Sequence, residues 1–270
     1  MATEAETEYV SLAELYKEPI PDELVKEAIN VDVEEKWVEI TIRNSTWEVF
    51  YRKATPPANV QTNEKTVRKE RGLETYKSEQ LKPPVVLLHG KNFTSWTWED
   101  NDVMPILAAR GHTVLALDLP KCGETKGDDA VPPHLKGEFL ARFIHRTLTN
   151  TSLPVVVCPT GAHQYVLPYL LNMGADANKR VGAAVLVSPN WPKTLDASKI
   201  KPTRIPVLIL YDNSSNNPSW RDAEPKLQRG FVNGDYLEVK GGRNMEFPAH
   251  WHARTTLFNF MKNMDYKLEQ

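Results

Sequence analysis

One stretch constrains this chain more than any other: Val155-Val156-Val157-Cys158-Pro159-Thr160-Gly161-Ala162-His163, followed by Val166, Leu167, Leu170 and Leu171. Three successive valines read as a strand buried on both faces, the kind found in parallel sheets covered by helices. The aliphatic residues behind it recur at spacings of three and four, which reads as the buried stripe of a helix. Only a tight turn fits between the two. Thr160 stands at its apex, and the small residues Cys158 and Ala162, two positions to either side, let strand and helix approach closely. In open parallel sheets ligands bind beyond the carboxyl ends of the strands, so this turn marks where a pocket should lie. Whether the pocket does chemistry depends on Thr160 and on the groups brought to it.

The rest of the chain supplies the sheet. From Pro83 onward, wholly apolar runs at 85–88, 114–117, 183–187 and 207–211 alternate with helical patterns at 102–110 and 135–148. A last strand at 236–239 and a terminal helix at 251–261 follow. This alternation predicts an α/β fold with a mainly parallel central sheet and helices on both faces. Ahead of it, 37–42 and 47–51 alternate polar and apolar residues as an antiparallel edge does, with a hairpin turn at Asn44-Ser45. The domain is placed at 36–265, with 1–35 as an N-terminal extension and 55–80 as a polar surface insert, part-helical between Glu64 and Glu74. The connection from Ser188 to Val207 is too short for a cap domain, so the pocket is expected to open directly to solvent.

Composition excludes several classes of function. The net charge of -2 leaves no basic patch for nucleic acid. No apolar run is long enough to span a bilayer, and the acidic start of the chain lacks the apolar core of a secretory signal. Two cysteines, Cys122 and Cys158, make a disulfide framework improbable, so a cytoplasmic setting is expected, with the nucleus as the other option. No metal-ligand spacing, P-loop or dinucleotide glycine pattern occurs, and no cofactor is expected.

Several irregular loops carry a resemblance as well as the strands. Val86-Leu87-Leu88-His89-Gly90 with Phe93, Ser95 and Trp98, then Leu117-Asp118-Leu119-Pro120 with Gly123, Thr125 and Lys126, then Pro159-Thr160 with Tyr165 and Pro168, and finally Trp251-His252, together resemble the α/β-hydrolase superfamily. Within it the match is to the small, lidless branch called abhydrolase domain-containing protein fourteen. The resemblance runs from about Trp37 to Met261. It implies an α/β-hydrolase fold and acyl chemistry: esterase-type activity on small acyl groups, or transfer of acetyl from protein lysines to coenzyme A, by a Ser–Asp–His triad. A small acyl-type ligand, coenzyme A and a protein partner are the binding partners it implies.

All three triad positions depart from the family pattern. Thr160 replaces the nucleophilic serine, and its extra methyl is expected to crowd a backbone that the turn holds at positive φ, with Gly161 relieving part of the strain. Asn244 stands where the family has histidine; an amide takes no proton at neutral pH. The acid loop reads Tyr211-Asp212-Asn213-Ser214-Ser215-Asn216-Asn217-Pro218, which leaves Asp212 as the acid candidate. His250 is the candidate replacement base, and His163 reads as a partly exposed helix residue. The oxyanion hole would come from the backbone N–H of Gly161 with that of Lys91 or Asn92. Backbone donors survive side-chain replacement, so the expectation is a degenerate triad around a retained binding pocket. The alternative is a slow ester hydrolase or lysine deacylase using Thr160. Asp118 is expected to brace loops rather than react.

Overall fold

The computed structural model describes residues 16–58, 60, 68–70, 73–75, 82–127, 129–149, 152–211, 218–238 and 251–268. Helix α1 (Asp22–Ala28) precedes a hairpin of β1 (Val33–Ile42) and β2 (Ser45–Ala54). β3 (Arg68–Glu70) and β4 (Leu73–Thr75) form a separate two-stranded ladder. β5 (Val85–Leu87), α2 (Trp96–Asp100), α3 (Val103–Ala109), β6 (Val114–Leu117) and α4 (Lys136–Thr147) follow. Then come β7 (Val155–Cys158), α5 (His163–Met173), β8 (Ala183–Val187), β9 (Val207–Tyr211), α6 (Pro218–Gly230), β10 (Gly234–Glu238) and α7 (Trp251–Leu268).

The main sheet has the order β1-β2-β6-β5-β7-β8-β9-β10. β2 runs antiparallel to both neighbours, and every pairing from β6 through β5 to β10 is parallel. This is the predicted parallel sheet with an antiparallel edge, and no cap domain interrupts the described residues. Alternation along each central strand divides the core in two. Val86, Leu115, Leu117, Val156 and Cys158 face one cluster with α4 and α5. Val85, Leu87, Val114, Val155 and Val157 face the other with α3 and α7. Strands apolar at every position are what burial on both faces requires. α4 and α5 are in close contact at Gly137, where a Cβ would lie 2.9 Å from the backbone nitrogen of Tyr169.

Two local expectations are corrected and one helix is new. The β1–β2 turn is Arg43–Asn44, since Ser45 already pairs with Ile42, and Arg43 takes φ 55°. That register keeps Ile40, Ile42, Trp47 and Val49 buried, whereas a one-residue slip would turn a strand's apolar set outward. The insert forms no helix at 68–70 or 73–75, which pair instead as antiparallel strands with Glu70 opposite Leu73. Helix α6 has no counterpart in the sequence reading, because Pro225 and the preceding asparagine tract mask its buried face of Trp220, Ala223 and Leu227. Residues ahead of the hairpin also pack onto the domain. Tyr16 is buried in the α3/α7 core, and Asn259 of α7 donates to the Glu18 carbonyl at 2.8 Å.

Candidate functional site

The chain runs from β5 to β6 on one side and then places β7 on the other side of β5, so the order reverses between β5 and β7. A crevice at the carboxyl ends of such a strand pair is the ligand site of open α/β sheets. Here it is made by the loop after β5, starting His89-Gly90-Lys91, and the turn after β7, Pro159-Thr160-Gly161-Ala162. The two loops touch. A Cβ on Gly90 would lie 3.0 Å from the Thr160 carbonyl oxygen, and one on Gly161 would lie 3.3 Å from the Lys91 nitrogen. Both positions therefore need glycine for close backbone approach.

The turn is closed by the Ala162 N–H donating to the Pro159 carbonyl at 3.1 Å. Its positive φ, +98°, falls on Gly161, while Thr160 is absent from the residues with positive φ. The expected strain at the threonine is therefore not present. Glycine one position later carries the left-handed conformation, and a β-branched residue is accommodated at Thr160 without it. The Thr160 hydroxyl donates to the Val187 carbonyl at the end of β8, 3.2 Å away. Among the described residues the N–H groups of Lys91 and Gly161 have no acceptor. Asn92 follows Lys91 in an exposed turn.

His163, the first residue of α5, corrects the reading of a partly exposed histidine: its exposure is 0%. Its Nδ1 lies 3.0 Å from Asn190 Oδ1, and among the described residues its Nε2 has no hydrogen-bond partner. Burial drives its pKa down to about 4, opposed in part by the Asn190 amide and the Val187 carbonyl, so the ring is neutral at pH 7. Cys158 points into the α4/α5 core, and burial raises its thiol pKa, as befits an inert buried cysteine. Cys122 and Cys158 are both free thiols.

Residues that look catalytic by type hold the rim together. Asp118, 2% exposed, accepts from the Ser95 N–H at 2.6 Å and the Glu124 N–H at 2.8 Å, while its carbonyl accepts from the Thr125 hydroxyl at 2.6 Å. His89 Nε2 accepts from the Leu119 N–H at 2.9 Å, which requires Nδ1 to carry the proton that it donates to the Gly90 carbonyl. Trp98 Nε1 donates to the Leu88 carbonyl at 2.9 Å. The loops after β5 and β6 are thus one hydrogen-bonded unit, and Asp118 braces it as expected.

A cleft of about 490 Å3 opens beside the turn, lined by Gly161 and Gln164 on one side and by Asn190, Trp191 and Lys193 from the connection after β8 on the other, with Asp222 of α6. Sequence reasoning missed this second wall, because the Ser188–Val207 connection carries no motif. The only signal was Asn190-Trp191-Pro192, a polar, aromatic and rigid triplet directly after a buried strand. Asp212, Asn244 and His250 lie outside the described residues. Among the described residues no cluster of His, Cys, Asp and Glu could hold a metal ion, and no helix is long and apolar enough to cross a membrane.

Comparisons with known proteins agree with this geometry. Protein ABHD14A of Danio rerio is 27% identical over 185 residues, covering 67% of this chain and 65% of that protein, so the match spans just under two thirds of the relative. ABHD14B of Homo sapiens, whose name proposes protein-lysine deacylase activity, is 28% identical over 193 residues, 69% of this chain and 87% of that protein. Among solved structures, a CIB-like hydrolase from Thermoplasma acidophilum superposes with a TM-score of 0.59 at 16% identity, covering 89% of this chain and 100% of the other. Potato epoxide hydrolase StEH1 gives 0.56 at 10% identity, covering 88% and 99%. At such identities the structural likeness speaks to the fold alone. The profile of the alpha/beta hydrolase family matches residues 85–262, more than half of the chain, which therefore belongs to that family and, within it, resembles the ABHD14 proteins.

Proposed function

We propose that this family member binds a small acyl group at the turn after β7 and is impaired as a hydrolase. The acyl carbonyl oxygen is received by the N–H groups of Gly161 and Lys91, the arrangement by which this fold stabilises an oxyanion. The observation that carries the reading is the bond from the Thr160 hydroxyl to the Val187 carbonyl. A backbone carbonyl accepts a hydrogen bond but takes no proton at neutral pH, so the hydroxyl is held by a group that cannot activate it. Asn244, at the family's histidine position, supports the same conclusion from sequence. Triad members act as a unit, and replacing base and nucleophile together removes most of the rate.

The test is turnover of 4-nitrophenyl acetate by purified protein, with Thr160→Ala as control. Equal rates in the two proteins are expected. A rate that vanishes in the variant overturns the impaired reading in favour of the second one, a slow acyl ester hydrolase or lysine deacylase using Thr160 with Asp212 and His250. The deacylase activity named for ABHD14B of Homo sapiens is what favours that second reading.

A further inference from the structure

We infer that the cleft beside the turn selects acyl groups that end in a carboxylate. This rests on the reading that Gly161 and Lys91 receive the acyl carbonyl, and it concerns what the far end of the same ligand meets. The wall contributed by the β8–β9 connection carries side-chain donors at Asn190 and Lys193, beside a Thr194 hydroxyl that can donate or accept. At Asn190, His163 is the cause. Its Nδ1 faces Asn190 Oδ1 at 3.0 Å, and an amide oxygen only accepts, so Nδ1 carries the ring's proton. With Oδ1 committed to a buried ring, the Asn190 side chain leaves its NH2 group for the cleft that this exposed residue lines.

The other polar groups bias the cleft in the same direction. Gln164 is partly engaged within the protein: its Oε1 accepts from Lys136 Nζ at 2.5 Å, and one N–H of its Nε2 donates to the Gly161 carbonyl at 3.3 Å. Asp222, the carboxylate of the lining, is held by Lys226 at 2.5 Å. Lys226 also sits over the Trp191 ring, 5.6 Å from its centroid. Lys193 lines the cleft, is exposed, and has no acidic partner among the described residues. Among the described residues the cleft therefore offers an amide donor at Asn190 and an ammonium at Lys193 without an acidic partner, a pair that a carboxylate satisfies by charge-assisted hydrogen bonds. A neutral acetyl group has no charge for this pair to complement. At about 490 Å3 the cleft has room for the longer acyl chain.

Titration calorimetry on the full chain tests this with two probes, N-butylacetamide and N-butylsuccinamic acid. The succinamic acid is expected to bind at least about tenfold more tightly, as one charge-assisted contact implies. Asn190→Asp and Lys193→Glu are each expected to abolish that preference. Equal affinity for the two probes overturns this inference and leaves the acyl-binding reading standing. Binding of neither probe overturns that reading, and this inference with it. A preference that survives both substitutions places the carboxylate elsewhere and overturns the assignment to Asn190 and Lys193.

Discussion

His163 makes the protein's stability depend on pH in a way that a single substitution isolates. The folded ring titrates at about 4, chiefly because burial penalises the imidazolium, against 6.5 in the unfolded chain. The unfolded state therefore takes up a proton before the folded state does. The stabilisation is fully present above the unfolded pKa and is lost as pH falls through 6.5 towards 4. At about 1.36 kcal/mol per pH unit, the loss reaches about 2.5 kcal/mol by about pH 4.5. Urea unfolding of the wild type and of His163→Gln, from about pH 7.5 to about 4.5, measures it. Every carboxylate, and the buried His89, whose pKa is also lowered by burial, is common to both proteins and cancels in the difference. The substitution shifts the whole curve by a constant, and the wild type alone adds the extra acid loss. Parallel curves would refute the reasoning: the ring would then be hydrated or already charged in the folded state, and it would no longer fix the Asn190 amide.

Other substitutions test the frame around the site. Asp118→Ala leaves the Ser95 and Glu124 N–H groups without their acceptor, and should cost about 3 kcal/mol in chemical denaturation; a loss below about 1 kcal/mol would show that water replaces the carboxylate. Gly161→Ala puts a side chain at φ +98° with its Cβ 3.3 Å from the Lys91 nitrogen. It should lower stability by about 1 to 2 kcal/mol and weaken N-butylacetamide binding in calorimetry, and unchanged affinity would remove the Gly161–Lys91 pair from the site. Gly137→Ala places a Cβ 2.9 Å from the Tyr169 nitrogen, so α4 must move away from α5 at a cost of about 2 kcal/mol, read as a fall in thermal midpoint with little change in ligand affinity.

Most of the frame was legible in the chain because it follows from local rules. Runs such as Val155-Val156-Val157 and Ala183-Ala184-Val185-Leu186-Val187 have no polar position to expose, so only a sheet covered on both faces accommodates them. The turn at 159–162 announced itself by residue size, and Asp118 by its place at the end of a strand beside Gly123. A Cβ at Gly123 would fall 1.8 Å from Asp118 Oδ2, the closeness that a glycine there permits. The expected departures from the triad rest on residue identity alone, and Asp212 and Asn244 lie outside the described residues.

Only the tertiary structure decided where the chemistry of those residues goes. Thr160 and His163 are read from one short stretch, yet their partners, the Val187 carbonyl and Asn190, lie 27 residues further along the chain. No periodicity encodes such a pairing, because it arises when β7 and β8 lie side by side and bring the ends of two strands together. The same juxtaposition makes the cleft from a connection with no motif of its own, and it buries a histidine that the helix pattern left at the surface. Local physics determined the strands, the helices and the turn. The polarity of the pocket was settled by which distant backbone and amide groups the folded sheet placed within hydrogen-bonding distance of it.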